Sequence, residues 1–148
     1  MIEFVQANLN KAELAHVELV KLVGKMEDFL AIIQEPYRFK GKLFRPPAGT
    51  VRIPVGNTDN SRAAILASNS VGIIELKNLC SPDCAVGMIN INGVKTVVAS
   101  LYFDINFREV ITQEVKNLVN FVKKKGLPLI MGIDTNAHST LYLSLIHI

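Results

Sequence analysis

Six side chains lie where apolar runs give way to polar residues: Asn8, Asn10, Glu35, Tyr102, Asp134 and Asn136. The clearest case is the run Leu129 to Ile133, which reads as a buried strand and stops at Asp134-x-Asn136-x-His138-Ser139. Buried strands that end in acidic and amide side chains are where α/β proteins build sites. Two earlier runs end in the same way, at Asn8 and Asn10 and at Glu35. If these ends converge, they gather one divalent metal and one phosphate. Magnesium takes hard oxygen ligands in an octahedron and keeps several waters, so one carboxylate, Glu35, with side-chain amides would suffice. Attack on a phosphodiester needs an oriented water and neutralisation of the phosphate. Asp134 suits the first task, as base or as orienting group. Asn8 and Asn136 are able to donate to phosphate oxygens without adding repulsive charge, and Tyr102 offers a phenolic hydrogen bond. Blander readings stand beside these. Asp134 and Asn136 also fit Asx-turns, Asn10 a helix cap, Glu35 an exposed loop acid, and Tyr102 a half-buried strand aromatic.

The elements that must position these groups follow from periodicity. Ile2 to Ala7 reads as a strand. Asn10, with Glu13 three residues on, forms a capping-box pattern ahead of a helix. Ala15, Leu19, Leu22 and Met26 recur along that helix as one buried stripe, and Gly24 and Lys25 mark its end. Phe29 to Ile33 is a continuous apolar run, a strand buried on both faces, closed by Glu35-Pro36. Pro36 to Asn60 is rich in Pro and Gly and reads as loop. It carries Arg38, Lys40, Lys42, Arg45 and Arg52 with Tyr37, Phe39 and Phe44 between them, a combination suited to a nucleic-acid backbone or to a solvated loop. Arg62 to Ala67 and Gly72 to Leu76 read as strands. Ala85 to Ile91 and Val94 to Phe103 flank Asn92-Gly93, a hairpin signal. A second helix is expected from about Arg108 to Lys125, with Ile111, Val115, Leu118 and Val122 inward and Gly126 as its cap. This order favours α/β architecture with mixed sheets and helices packed outside.

Bulk properties narrow the class. At 148 residues the chain is one domain's worth, and at 49% hydrophobic and 20% charged it is able to bury a sizeable core. A net charge of +3 suits a polyanionic partner without requiring one. Cys80 and Cys84 lack the second Cys or His pair of a zinc site and read as two reduced thiols, in a turn and a strand. Met1 leads straight into a polar-spiked strand, with no signal peptide and no membrane span, so the expectation is a soluble intracellular protein without a membrane partner.

Four segments in this order resemble one family. They are Phe4-Val5-Gln6-Ala7-Asn8-Leu9-Asn10, Ile32-Ile33-Gln34-Glu35-Pro36-Tyr37, Ala99-Ser100-Leu101-Tyr102-Phe103-Asp104, and Met131-Gly132-Ile133-Asp134-Thr135-Asn136-Ala137-His138-Ser139. The chain resembles the endonuclease/exonuclease/phosphatase superfamily and, more narrowly, the apurinic-type endonuclease domain of non-LTR retrotransposons. The resemblance implies a DNase I-like fold, a four-layer α/β sandwich of two mixed β-sheets flanked by helices. It implies Asn8 at the active site, Glu35 as metal ligand with Asn10 near the metal, Tyr102 on the phosphate, and Asp134 with Asn136 activating water and holding the phosphate. The cofactor implied is Mg2+, with Mn2+ as substitute. The partners implied are DNA and a downstream reverse transcriptase domain. The activity implied is nicking of target DNA in the nucleus, leaving a 3′-hydroxyl to prime reverse transcription.

The family's late aspartate and Ser-Asp-His-like motif are not matched. His138 belongs to the Asn-Ala-His-Ser turn, His16 to a helix, and His147 to a tail. Residues 1–142 are therefore expected to be a C-terminally truncated domain, poorly soluble and inactive alone. Residues 143–148, Leu-Ser-Leu-Ile-His-Ile, resemble a translated sequencing adapter and are expected to be a non-native tail. Two other readings remain open: a host repair nuclease or phosphatase of the same superfamily, and a catalytically dead fragment.

Overall fold

The computed structural model describes residues 1–56, 60–103 and 112–134. Within them, two four-stranded sheets pack face to face. In the first sheet β1 (Glu3–Asn8) and β2 (Phe29–Gln34) are joined by helix α1 (Glu13–Val23). The two strands are parallel, with Asn8 in register with Gln34. A parallel pair needs such a crossover, because a tight hairpin reverses the chain. After a small hairpin of β3 (Arg38–Phe39) and β4 (Lys42–Leu43), β5 (Thr50–Ile53) and β6 (Ala63–Ser68) complete the order β1-β2-β6-β5. The second sheet holds β7 (Ile74–Glu75), β8 (Cys84–Ile91), β9 (Val94–Tyr102) and β10 (Leu129–Asp134), in the order β10-β9-β8-β7. Helix α2 (Gln113–Lys125) lies between β9 and β10 in the chain, and these strands are also parallel, with Tyr102 in register with Asp134. Each sheet therefore contains one parallel pair that delivers two strand ends to the same edge.

The period of two along each strand builds the layers. Leu30 and Ile32 of β2 join Ile65, Val98 and Ile130 between the sheets. Phe29, Ala31 and Ile33 of the same strand face outward with Leu19 and Val23 of α1. On the other side, Val97, Ala99 and Leu101 of β9 and Leu129 and Met131 of β10 pack with Leu118 and Val122 of α2. Every residue of β2 is buried, as its unbroken apolar run requires. Burying side chains such as Leu118 and Val122 contributes about 1.5–3 kcal/mol each. The result is the four-layer arrangement expected: helix, sheet, sheet, helix.

The sheets approach closely at Gly132. A Cβ there would lie 2.5 Å from Ile32 Cγ2 and 3.3 Å from Gln6 Cδ. Glycine permits the approach by presenting only hydrogens to the opposite sheet.

Several local expectations change. Asn10 does not cap α1; the helix starts at Glu13, with Ala12 at the N-cap and no side-chain cap. Asn10 and Lys11 instead both take positive φ, 49° and 58°, and turn the chain before the helix. The buried line on α1 runs through Leu19 and Val23, whereas Leu22 is 48% exposed. The later start does not move residues around the helix; it is the docking angle onto β2 that selects the i, i+4 row. The segment Pro36 to Asn60 is not all loop, since it holds β3, β4 and β5. Lys40 and Gly41, with φ of 53° and 78°, make the tight reversal between β3 and β4. The second hairpin forms at Asn92-Gly93 as expected, with φ of 51° and 84°. Helix α2 starts at Gln113, capped by Thr112 Oγ1, and Gly126 closes it at φ 66°. Cys80 and Cys84 are free thiols, and burial pushes both thiol pKa values up. No helix among the described residues is long and apolar enough to cross a membrane. Ile111, Asn136, His138 and the tail 143–148 lie outside the described residues.

Candidate active site

The site is built where the parallel pairs of the two sheets end. Asn8 is the last residue of β1 and Asp134 the last of β10. Asn8 Nδ2 donates a hydrogen bond to Asp134 Oδ2, joining the two sheets at this edge. The orientation of the Asn8 amide is set by its other end, where Oδ1 accepts from the backbone N–H of Asn10 at 2.8 Å. Asn8 is exposed and Asp134 is buried, so the pair spans from solvent into the protein.

Tyr102 ends β9 beside Asp134, and Phe103 N–H donates to the Asp134 carbonyl at 3.1 Å. Tyr102 is 8% exposed, with the Arg62 guanidinium 4.7 Å from its ring centroid. Arg62 is itself held by Asp83 through Nε at 2.7 Å and a second guanidinium nitrogen at 2.8 Å. Glu35 follows β2 with φ of 46°, a backbone conformation that non-glycine residues seldom take. It is held there from two sides: its N–H donates to the Arg62 carbonyl at 2.9 Å, and its carbonyl accepts from Lys11 N–H at 2.9 Å. This ties the half-buried Glu35 to the turn that follows Asn8.

One pleat below the surface lies a polar layer that sequence reasoning missed. Gln34, 1% exposed, donates from Nε2 to Ser100 Oγ at 3.1 Å and to the Gly132 carbonyl at 3.3 Å. Ser100 Oγ donates to the Ile33 carbonyl at 2.7 Å. Gln6 Nε2 donates to the Ile133 carbonyl at 3.3 Å and to Gln34 Oε1 at 3.4 Å. These bonds link β1, β2, β9 and β10 directly beneath the four strand ends. Their cost is low because each buried polar group has a partner. The available signal was a polar residue at an inward position of an otherwise apolar strand: Gln34 after Ile32-Ile33, and Ser100 after Val98-Ala99. Arg62 and Asp83 were missed because nothing in the chain order predicts that they meet.

The structure thus joins Asn8, Asp134 and Tyr102 at one edge, with Asn10 and Glu35 attached through backbone hydrogen bonds. The donors of this edge are oxygen and amide groups. Among the described residues no group of three or more His, Cys, Asp or Glu side chains gathers around a point. That composition suits magnesium, which is satisfied with one or two carboxylates and water, better than a metal that needs nitrogen or sulfur ligands. His16 lies elsewhere, on α1, against Phe44 and Tyr37 at 4.5 and 5.6 Å between centroids.

The cationic segment is divided by the fold. Arg52 donates to the carbonyls of Phe44 at 2.6 Å and Pro54 at 3.0 Å and so acts as a backbone clamp. Phe44 is buried and Tyr37 half-buried. The β3–β4 hairpin keeps Lys40 and Lys42 exposed and Phe39 62% exposed, with Lys40 Nζ 5.4 Å from the Phe39 ring centroid.

No protein-family model matches the chain, and no curated protein matches it. Solved structures do. The endonuclease domain of TRAS1, a telomere-specific non-LTR retrotransposon, superposes with a TM-score of 0.69 at 27% identity. The match covers 93% of this chain and 60% of that one. The human Nocturnin catalytic domain superposes with a TM-score of 0.53 at 15% identity, over 84% of this chain and 56% of that one, a likeness of fold alone. The chain spans less than two thirds of either structure. With the layer order and the strand-end motifs, these matches give the chain the DNase I-like fold of the endonuclease/exonuclease/phosphatase superfamily.

Proposed function

We propose that this chain carries the active-site edge of a metal-dependent endonuclease that nicks target DNA for retrotransposition. The observation that supports this most is the Asn8–Asp134 hydrogen bond, which unites the ends of two sheets in a fold similar to a retrotransposon endonuclease domain. The chain covers 60% of that domain, so the activity is proposed for this site within a domain of that length.

In this reading Asp134 orients the attacking water and accepts its proton. The water oxygen bonds to phosphorus as the bond to the leaving 3′-oxygen breaks; that oxygen takes a proton from solvent to become a 3′-hydroxyl, and the phosphate stays on the 5′ end. One amide hydrogen of Asn8 is engaged by Asp134, which leaves the second for a phosphate oxygen. Tyr102 and Asn136 donate to the same phosphate, adding no negative charge. Glu35 would hold Mg2+, or Mn2+ in its place, with Asn10 beside it. When bound, the ion would neutralise the phosphate and lower the pKa of a coordinated water. The exposed Lys40 and Lys42 of the β3–β4 hairpin lie five and seven residues after Glu35 in the chain and suit the DNA backbone. The enzyme would act in the nucleus, with a reverse transcriptase domain downstream to use the 3′-hydroxyl.

The test is nicking of supercoiled plasmid by the domain, with and without magnesium. Conversion to open circle that stops with a chelator and in Asp134→Ala supports the reading. Equal conversion by Asp134→Ala overturns it. A reading frame for a reverse transcriptase downstream separates a mobile element from a host repair enzyme.

A further inference from the structure

Arg62 is a joint between the two sheets. It directly precedes β6 of the first sheet, while Asp83 directly precedes β8 of the second. The guanidinium meets the carboxylate with two hydrogen bonds, 2.7 and 2.8 Å, a planar fork that a lysine is unable to copy. Its plane of charge lies 4.7 Å from the centre of the Tyr102 ring, within the range of a cation–π contact. The backbone is engaged as well. Arg62 N–H donates to the Pro82 carbonyl at 2.6 Å, and the Arg62 carbonyl accepts from Glu35 N–H at 2.9 Å. Asp83 completes the loop, since its carbonyl accepts from Tyr102 N–H at 2.9 Å. One arginine thus touches the backbone of Glu35, the ring of Tyr102 and the acid whose carbonyl fixes the Tyr102 backbone. Its side chain is 28% exposed and that of Asp83 13%, so the pair is partly shielded from water.

We propose that Arg62, locked by Asp83, is a positioning residue whose side chain sets the Tyr102 phenol for the phosphodiester. This rests on the nuclease reading above. Arg62 acts through Tyr102, and Asp83 holds its guanidinium in place. A bidentate pair fixes both the position and the plane of the guanidinium. A ring lying against that plane loses its freedom to swing, so its hydroxyl stays aimed when the phosphate arrives. A misplacement of about 1 Å at such a group is able to cost about a hundredfold in rate.

The test has two arms. In the first, the full chain is labelled with 3-fluorotyrosine, and the Tyr102 resonance is identified by its loss in Tyr102→Phe. Arg62→Gln, and separately Asp83→Ala, is expected to move that resonance while the Tyr37 resonance stays in place. Arg62→Lys moves it too, because the fork is lost. An unmoved Tyr102 resonance overturns the proposal, as does an equal movement at Tyr37. If Arg62→Gln fails to fold, Asp83→Ala, which keeps the arginine, gives the same reading. In the second arm, plasmid nicking is measured. Arg62→Gln lowers kcat about tenfold with KM nearly unchanged, and has little further effect in a Tyr102→Phe background. Full additivity with Tyr102→Phe overturns the coupling. If a full-length domain that carries this edge does not nick, the nuclease reading falls, and the fluorine spectra still decide whether Arg62 sets Tyr102.

Discussion

Asn8 and Asp134 are 126 residues apart in the chain and share a side-chain hydrogen bond at the common edge of two sheets. Each ends a strand that runs parallel to its partner: β1 lies before the crossover through α1, and β10 follows the crossover through α2. The bond uses the Asn8 amide as donor and leaves the second Asp134 oxygen to other partners. Asp134→Ala is expected to lower single-turnover nicking by about 10²–10⁴-fold, the range for a lost general base. Asn8→Ala lowers it less, since the carboxylate stays. Melting curves of both variants close to wild type would place the loss in the chemistry; a melting loss that matches the activity loss would count against the assignment.

Gly132 lies against the opposite sheet with no room for a side chain. A methyl group there meets Ile32 Cγ2 at 2.5 Å, and Gln6 Cδ lies 3.3 Å away. Gly132→Ala should cost about 1–3 kcal/mol, the usual penalty of overpacking a filled core. Urea unfolding measures it, and an unchanged midpoint would show that the sheets give way at no cost.

His16 makes stability fall toward acid. Burial lowers its pKa in the folded state, and Glu13 offsets this in part. Its Nδ1 is buried with no hydrogen-bond partner among the described residues. The unfolded chain therefore binds a proton at higher pH than the folded one. Stability is full above the ordinary histidine range and is lost as pH falls through about 6.5. His16→Phe should flatten the difference in urea midpoint between pH 7.5 and pH 5.5. An equal slope in the variant would assign the dependence to other groups.

The β3–β4 hairpin is expected to contact DNA through Lys40 and Lys42. Each phosphate contact contributes about one unit to the slope of log K against log salt. Lys40→Ala and Lys42→Ala should each reduce that slope by about one in duplex binding followed by fluorescence anisotropy. Arg52→Ala should lower stability instead, because Arg52 holds the carbonyls of Phe44 and Pro54. Loss of salt dependence in Arg52→Ala at unchanged stability would reverse these roles.

Much of the fold is legible in local pattern. The unbroken run Phe29 to Ile33 announces a strand covered on both faces, and Asn92-Gly93 a hairpin, because each is decided by neighbours in the chain. Asn10 misled for the reverse reason. Capping residues at the right spacing do not decide where a helix starts once two left-handed residues, Asn10 and Lys11, precede it. Leu22 misled because several apolar rows exist on one helix, and only docking selects one.

The sequence by itself determined the strand ends and the residue types they carry, since alternation, apolar runs and turn residues act over a few positions. Asn8, Glu35, Tyr102 and Asp134 are visible on that basis. Only the tertiary structure decided which of them meet. The bond from Asn8 to Asp134, the Gln6–Gln34–Ser100 layer and the Arg62–Asp83 fork over Tyr102 all depend on how two sheets are stacked and registered. Stacking is set by long-range burial summed over many side chains, and no single stretch of the chain encodes it.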